Sequence, residues 1–147
     1  MTTELSCDEI DTLLRESGAG VLSLTDGKET YAIPESFGYD GDHLYFQFVH
    51  HPDSQKMAFL ETTDTATLTV YTDTPSKSVI VRGPVEPVPD DDQTIASTAI
   101  AENADIPTLN VYPEHSPDEL LMTFYQLSPT ERSGRKFNEV TTTPTSN

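Results

Sequence analysis

Polar and apolar positions change period early in the chain, and that change divides it into elements. Ile10, Leu13 and Leu14 recur with helical spacing. Ser6 and Glu9 precede them in capping-box order, and Leu5 with Ile10 matches a hydrophobic staple. Gly18 closes this run as a C-terminal cap. From Gly20 onward the period is that of strands. GVLSLT and ETYAIPESFGY flank Asp26-Gly27, a hairpin signal. Pro34 cannot donate to a ladder, so an edge or a bulge is expected there. HLYFQFV follows a second turn at Asp40-Gly41-Asp42 and puts Leu44, Phe46 and Phe48 on one face. A short helix is expected around Ser54 to Leu60. In ATLTVYT, Ala66, Leu68 and Val70 alternate with Thr67, Thr69 and Tyr71, the pattern of a half-buried strand. KSVIVRGPVEPV reads as another strand, bent where Gly83-Pro84 interrupts it. Asp90 to Asp92 sit where a helix N-terminus favours negative charge, ahead of a helical repeat of Ile95, Ala96, Ala99 and Ile100. The stretch from Asn103 to Pro117, interrupted by prolines, reads as a loop, and ELLMTFYQL as the last strand.

Strands in hairpin order with helices at the periphery indicate a mainly β (α+β) fold. The expected architecture is an antiparallel barrel, not a parallel doubly wound sheet. With 147 residues the chain is expected to form one domain over 1–140. Its tail, 141–147, has too little apolar content to pack and is expected to fray. No apolar run approaches the roughly 20 residues that span a bilayer, and the N-terminus lacks a basic-then-apolar leader. A soluble, cytoplasmic protein without a membrane partner is the expectation.

Charge sharpens this picture. The chain carries 25 acidic and 8 basic residues, a formal net charge of −17. Such self-repulsion is screened as the Debye length falls to roughly 3 Å at 1 M salt. The acids are spread along the chain, so a solvated surface adapted to high salt is the favoured reading. Direct binding of nucleic acid is disfavoured. A mimic of nucleic acid that engages a basic partner is the less favoured alternative. The single cysteine, Cys7, excludes an internal disulfide and a cysteine-rich zinc site, and is expected in the core. His50 and His51 would point to opposite faces of an extended chain, and without a spaced third ligand no metal is predicted.

Few residues offer chemistry. Lys56, in the first turn of the short helix beside Ser54, suits a phosphate, because free amides, an ammonium and a hydroxyl converge there. Against this stands Asp53; Lys56 could instead pair with Asp53 or Glu61 at the surface. Arg82 could approach an anionic ligand or pair with an acid across the barrel. Arg132, Arg135 and Lys136 form a basic cluster whose bland reading is a solvated tail after the final strand. Phe37, Tyr39, Tyr45, Phe46 and Phe48 suit a core better than a cofactor stack. No Ser-His-Asp or Cys-His arrangement can be argued from linear order.

Taken together, the pieces resemble the pyridoxamine 5'-phosphate oxidase-like split-barrel flavoproteins, in a haloarchaeal-type form. The residues that carry the resemblance are Gly20-Val21-Leu22-Ser23, Tyr31-Ala32-Ile33-Pro34 with Ser36-Phe37, and Leu44-Tyr45-Phe46. Ser54-Gln55-Lys56 with Leu60 and Ser78-Val79-Ile80-Val81-Arg82-Gly83 complete the set. The resemblance covers Glu4 to Pro89 well and the rest loosely. It implies a six-stranded antiparallel split β-barrel and a homodimer with FMN at the interface. By position, Ala32, Ile33, Pro34 and Ser36 would lie along the flavin ring and ribityl chain, and Ser54 and Lys56 would take the phosphate. Phe46, Gln47, Ser78, Val79, Tyr125 and Arg135 fall at further flavin-contacting positions. Glu131 and Ser133 stand where the authentic oxidases hold their substrate with Arg and His, so vitamin B6 oxidation is not expected. Gln55 replaces a second basic residue beside the phosphate, and Gln47 a histidine of some smaller relatives. An FMN-dependent oxidoreductase of unknown substrate is the first expectation. A non-catalytic flavin-storage module, or the same barrel holding deazaflavin or haem, is the alternative.

Overall fold

The computed structural model describes residues 2–50, 54–103 and 121–137. His51, Asp53, most of the expected loop after Asn103 and the 141–147 tail lie outside them. In chain order the elements are β1 (Thr2–Glu4), α1 (Cys7–Ser17), β2 (Ala19–Thr25), β3 (Thr30–Ser36), β4 (Gly38–Tyr39), β5 (Leu44–His50) and α2 (Gln55–Thr62). There follow β6 (Ala66–Asp73), β7 (Ser76–Gly83), β8 (Val85–Pro87), a 3-10 turn (Asp90–Asp92), α3 (Gln93–Asn103), β9 (Leu121–Leu127) and β10 (Glu131–Phe137).

Every strand pairing is antiparallel. One sheet has six strands in the order β1-β10-β7-β6-β2-β3, and the other four in the order β4-β5-β9-β8. The chain crosses between them at corners. β3 gives way to β4 at Phe37, β7 to β8 at Pro84, and β9 to β10 through 128–130. Such switching closes two sheets into a split barrel. Pro34 lies on β3, an edge strand, where its missing N–H leaves no ladder bond unmade.

Core and caps follow the sequence pattern. Leu22, Leu68, Val70, Val79 and Val81 from the large sheet meet Leu44, Phe46 and Phe48 from the small one, all at most 1% exposed. The outer face of β5 is covered too, since Tyr45 packs with Val88, Ala96 and Ala99 under α3. Ser6 and Glu9 form the reciprocal capping box, and Gly18 ends α1 in the left-handed region at φ 72°.

Two expectations need correction. ELLMTFYQL is not the last strand: Arg132, Arg135 and Lys136 belong to β10, which pairs with β7 and carries β1 on its other side. The strand escapes a period-two reading because its one buried position is Gly134. A Cβ there would stand 2.8 Å from Cδ1 of Leu5 and 3.1 Å from Cγ1 of Ile10, so the glycine lets α1 close that end of the barrel. Cys7 is exposed rather than core, because Leu5 takes the place beside Ile10.

Candidate functional site

The register of the large sheet sorts its side chains into two faces. Leu22, Ile33, Leu68, Val79 and Val81 point inward. Their neighbours Ala32, Pro34 and Ser36 on β3, Val21 and Ser23 on β2, Thr69 and Tyr71 on β6, and Ser78 and Ile80 on β7 point outward. No described helix packs across this outward face, and Tyr71 and Ile80 remain 64% and 39% exposed. Its charged groups stand at the margins. Arg82 meets Glu131 at 3.7 Å, Arg135 lies opposite Ser78, and Asp73 is at the β6–β7 hairpin end.

Five of the twelve residues singled out in the sequence thus share one surface: Ala32, Pro34, Ser36, Ser78 and Arg135. The others are elsewhere. Ile33 faces the barrel interior opposite Leu22. Phe46 and Val79 are fully buried, so their side chains serve the core. Gln47 lies on the other face of the small sheet, opposite Phe124. Tyr125 turns inward and meets the Phe48 ring at 5.4 Å between centroids, while burial raises its hydroxyl pKa.

Ser54 and Lys56 open α2 as expected, but their surroundings differ from the expectation. Ser54 is the N-cap residue, with an extended backbone and no side-chain capping bond. Lys56 is buried, 8% exposed, and reaches into the split between the sheets. Its Nζ meets Oε2 of Glu35 at 2.8 Å and stands 4.8 Å above the Phe48 ring. Among the described residues its partner is not Glu61 but a carboxylate from β3. Burial raises the Glu35 pKa, and the ammonium of Lys56 pulls the other way without cancelling it. Glu35 is the partner of Lys56 that sequence reasoning missed. The signal was its parity: it follows Tyr31 and Ile33 on the inward side of β3, where a carboxylate requires a partner.

Other candidates resolve into structure. His50 is buried, with Nε2 3.1 Å from Oγ1 of Thr123. Among the described residues there is no group of three or more His, Cys, Asp or Glu side chains placed to hold a metal. Arg132 donates to the Tyr39 hydroxyl at 2.9 Å and to the Gly41 carbonyl at 3.3 Å, tying β10 to the β4–β5 turn. A surface cavity of about 390 Å³ between α1 and α3 is lined by Arg15, Tyr39, Asp40 and Ile95, and by none of the twelve. No described helix is long and apolar enough to cross a membrane.

Comparison with known proteins agrees with this architecture. No curated protein matches the sequence. Among solved structures, an FAD-binding protein from Mesorhizobium loti superposes with a TM-score of 0.71 at 21% identity, covering 95% of this chain and 98% of that one. The FAD-binding protein of Mycobacterium smegmatis gives 0.67 at 21% identity, over 92% of this chain and all 100% of its own. A heme-binding protein from Mycobacterium smegmatis gives 0.65 at 14% identity, with 88% and 54% covered. The model of the pyridoxamine 5'-phosphate oxidase family matches residues 6–136. With a split barrel of this topology behind that match, the chain belongs to the pyridoxamine 5'-phosphate oxidase family.

Proposed function

We infer that the protein binds FMN between two copies of the chain and acts as an FMN-dependent oxidoreductase. The observation that carries this reading is the outward face of the large sheet. In a chain with 25 acidic residues, the area from Ala32 and Pro34 to Ser78 and Ile80 holds none, apart from Asp73 at its rim. Side chains there are small, apolar or hydroxylic, which suits a flat ring pressed between two sheets. The donor set fits the rest of the cofactor. Ser36 and Ser54 offer hydroxyls, and Lys56, buried at the start of α2 against Glu35 of the edge strand β3, offers the ammonium for the phosphate. Relatives described as FAD-binding support a flavin as the ligand class. FMN is the form proposed because a single phosphate matches a single ammonium.

Bound flavin would supply hydride transfer at its N5, and the chain would bind, orient and shield it. No described side chain stands out as a protein acid or base. Glu131 and Ser133 leave a substrate phosphate without a cation at their positions, since Glu131 already faces Arg82. The reading therefore excludes vitamin B6 phosphates as the favoured substrate. Haem is the second reading, prompted by the heme-binding relative. Neither described histidine supports it on the outward face, since His50 points into the barrel and His43 sits in the β4–β5 turn. The absorption spectrum of the FMN-loaded protein with NAD(P)H tests the reading. Bleaching of the flavin bands, reversed by a trial acceptor, is expected of the oxidoreductase. Bound flavin that NAD(P)H leaves oxidised, while dithionite still bleaches it, would leave storage as the role.

A further inference from the structure

The buried pair Glu35–Lys56 is set into the place where the ligand's phosphate is read to bind. One ammonium carries a single charge and cannot neutralise a carboxylate and a phosphate together, and Glu35 holds it at 2.8 Å with only 13% of its side chain exposed. A phosphate that takes the ammonium must leave this carboxylate in the split without its counter-charge. Burying an unpaired carboxylate is far more costly than burying a neutral acid.

We propose that Glu35 is an internal anion exchanged for the ligand's phosphate, and that it leaves the ion pair as a neutral acid, having taken one proton from solvent. The inference rests on the flavin reading above. The exchange balances: the Lys56 ammonium keeps its charge and changes partner, and Glu35 accepts one proton from water or buffer. The surroundings favour this outcome. Among the described residues the charge acting on Glu35 is that of Lys56 from α2, while β2 beside it contributes Gly20 and Leu22, and β5 contributes the Phe48 ring beneath the same ammonium. Burial already raises the Glu35 pKa with Lys56 in place. Loss of that partner raises it further. Binding should therefore weaken as pH rises through the interval between the paired and unpaired values. Where a whole proton is taken up, the loss is about tenfold per pH unit.

The test is calorimetric titration of the full-length protein with FMN and with riboflavin at pH 7.5 in molar salt. Each titration is repeated in two buffers of different ionisation heat. FMN is already a dianion at this pH, its second pKa being about 6, so a proton taken up belongs to the protein. The expected result is net proton uptake with FMN, none with riboflavin, which lacks the phosphate, and none with FMN bound to Glu35→Gln. That variant should also bind FMN with an affinity that no longer falls with pH. The wild-type comparison of FMN with riboflavin stands even if Glu35→Gln fails to fold. FMN binding with no proton uptake by the wild type would overturn the exchange while leaving the flavin reading intact. Failure of FMN to bind at all would remove both.

Discussion

Tyr39 is the residue on which several elements converge. Its hydroxyl donates to Asp11 on α1 and accepts from Arg132 on β10, and the guanidinium groups of Arg15 and Arg132 stand 5.2 and 5.7 Å from its ring centroid. Burial, together with Asp11, pushes the Tyr39 pKa up to about 12. In return, the hydrogen bond from Tyr39 is the largest influence lowering the Asp11 pKa; burial opposes it and Arg15 adds to it. A carboxylate whose folded pKa is depressed stabilises the fold above its unfolded pKa, about 3.9. That contribution is lost as pH falls through the lower folded value. Tyr39→Phe is therefore expected to lower the melting temperature at pH 7, and by progressively less as pH falls below the unfolded value of about 3.9. Thermal melts of both proteins across that range check this, and a gap that stays constant with pH would place the effect in packing instead.

Among the elements, the large sheet unites the two aspects of the chain: its inner face builds the core and its outer face offers the proposed interface. β7 makes the point alone. Val79 and Val81 are fully buried while Ile80 between them is 39% exposed, although all three are apolar. Ile80→Asp would put a carboxylate in the acid-free area without touching the core. The proposed dimer should then become a monomer by light scattering in high salt, with secondary structure unchanged. A persisting dimer would move the interface elsewhere. Much of this element structure was legible in the residues. Strict alternation exposed β6, the Asp26-Gly27 and Asp40-Gly41-Asp42 signals marked real turns, and Gly83-Pro84 marked the corner where β7 passes into β8. β10 was not legible, because a strand of charged residues around one packed glycine has no hydrophobic period to read. β1 is three residues long and held by β10, so its pairing is a tertiary fact.

On the scale of the whole molecule, 25 acidic against 8 basic residues leave a net charge of −17, whose self-repulsion opposes the compact state. Melting temperature should rise from low to molar salt as the Debye length shortens to roughly 3 Å. A flat or falling response would contradict the high-salt interpretation. The site was legible only in part for a reason of the same scale. Linear order could place Ser54 and Lys56 at a helix start and Ala32, Pro34 and Ser36 on one strand face. It could not show that Lys56 turns into the barrel split and meets Glu35, since that contact joins α2 to β3 across the fold. The central claim is that this ammonium grips a flavin phosphate. Fluorescence titration of the wild type and of Lys56→Ala with FMN in molar salt tests it most directly. Saturable quenching by the wild type, with affinity at least about tenfold lower in the variant, is predicted from the loss of a charge-assisted contact of ~1.5–3 kcal/mol. Equal affinity in the two proteins, or no binding by either, would contradict it.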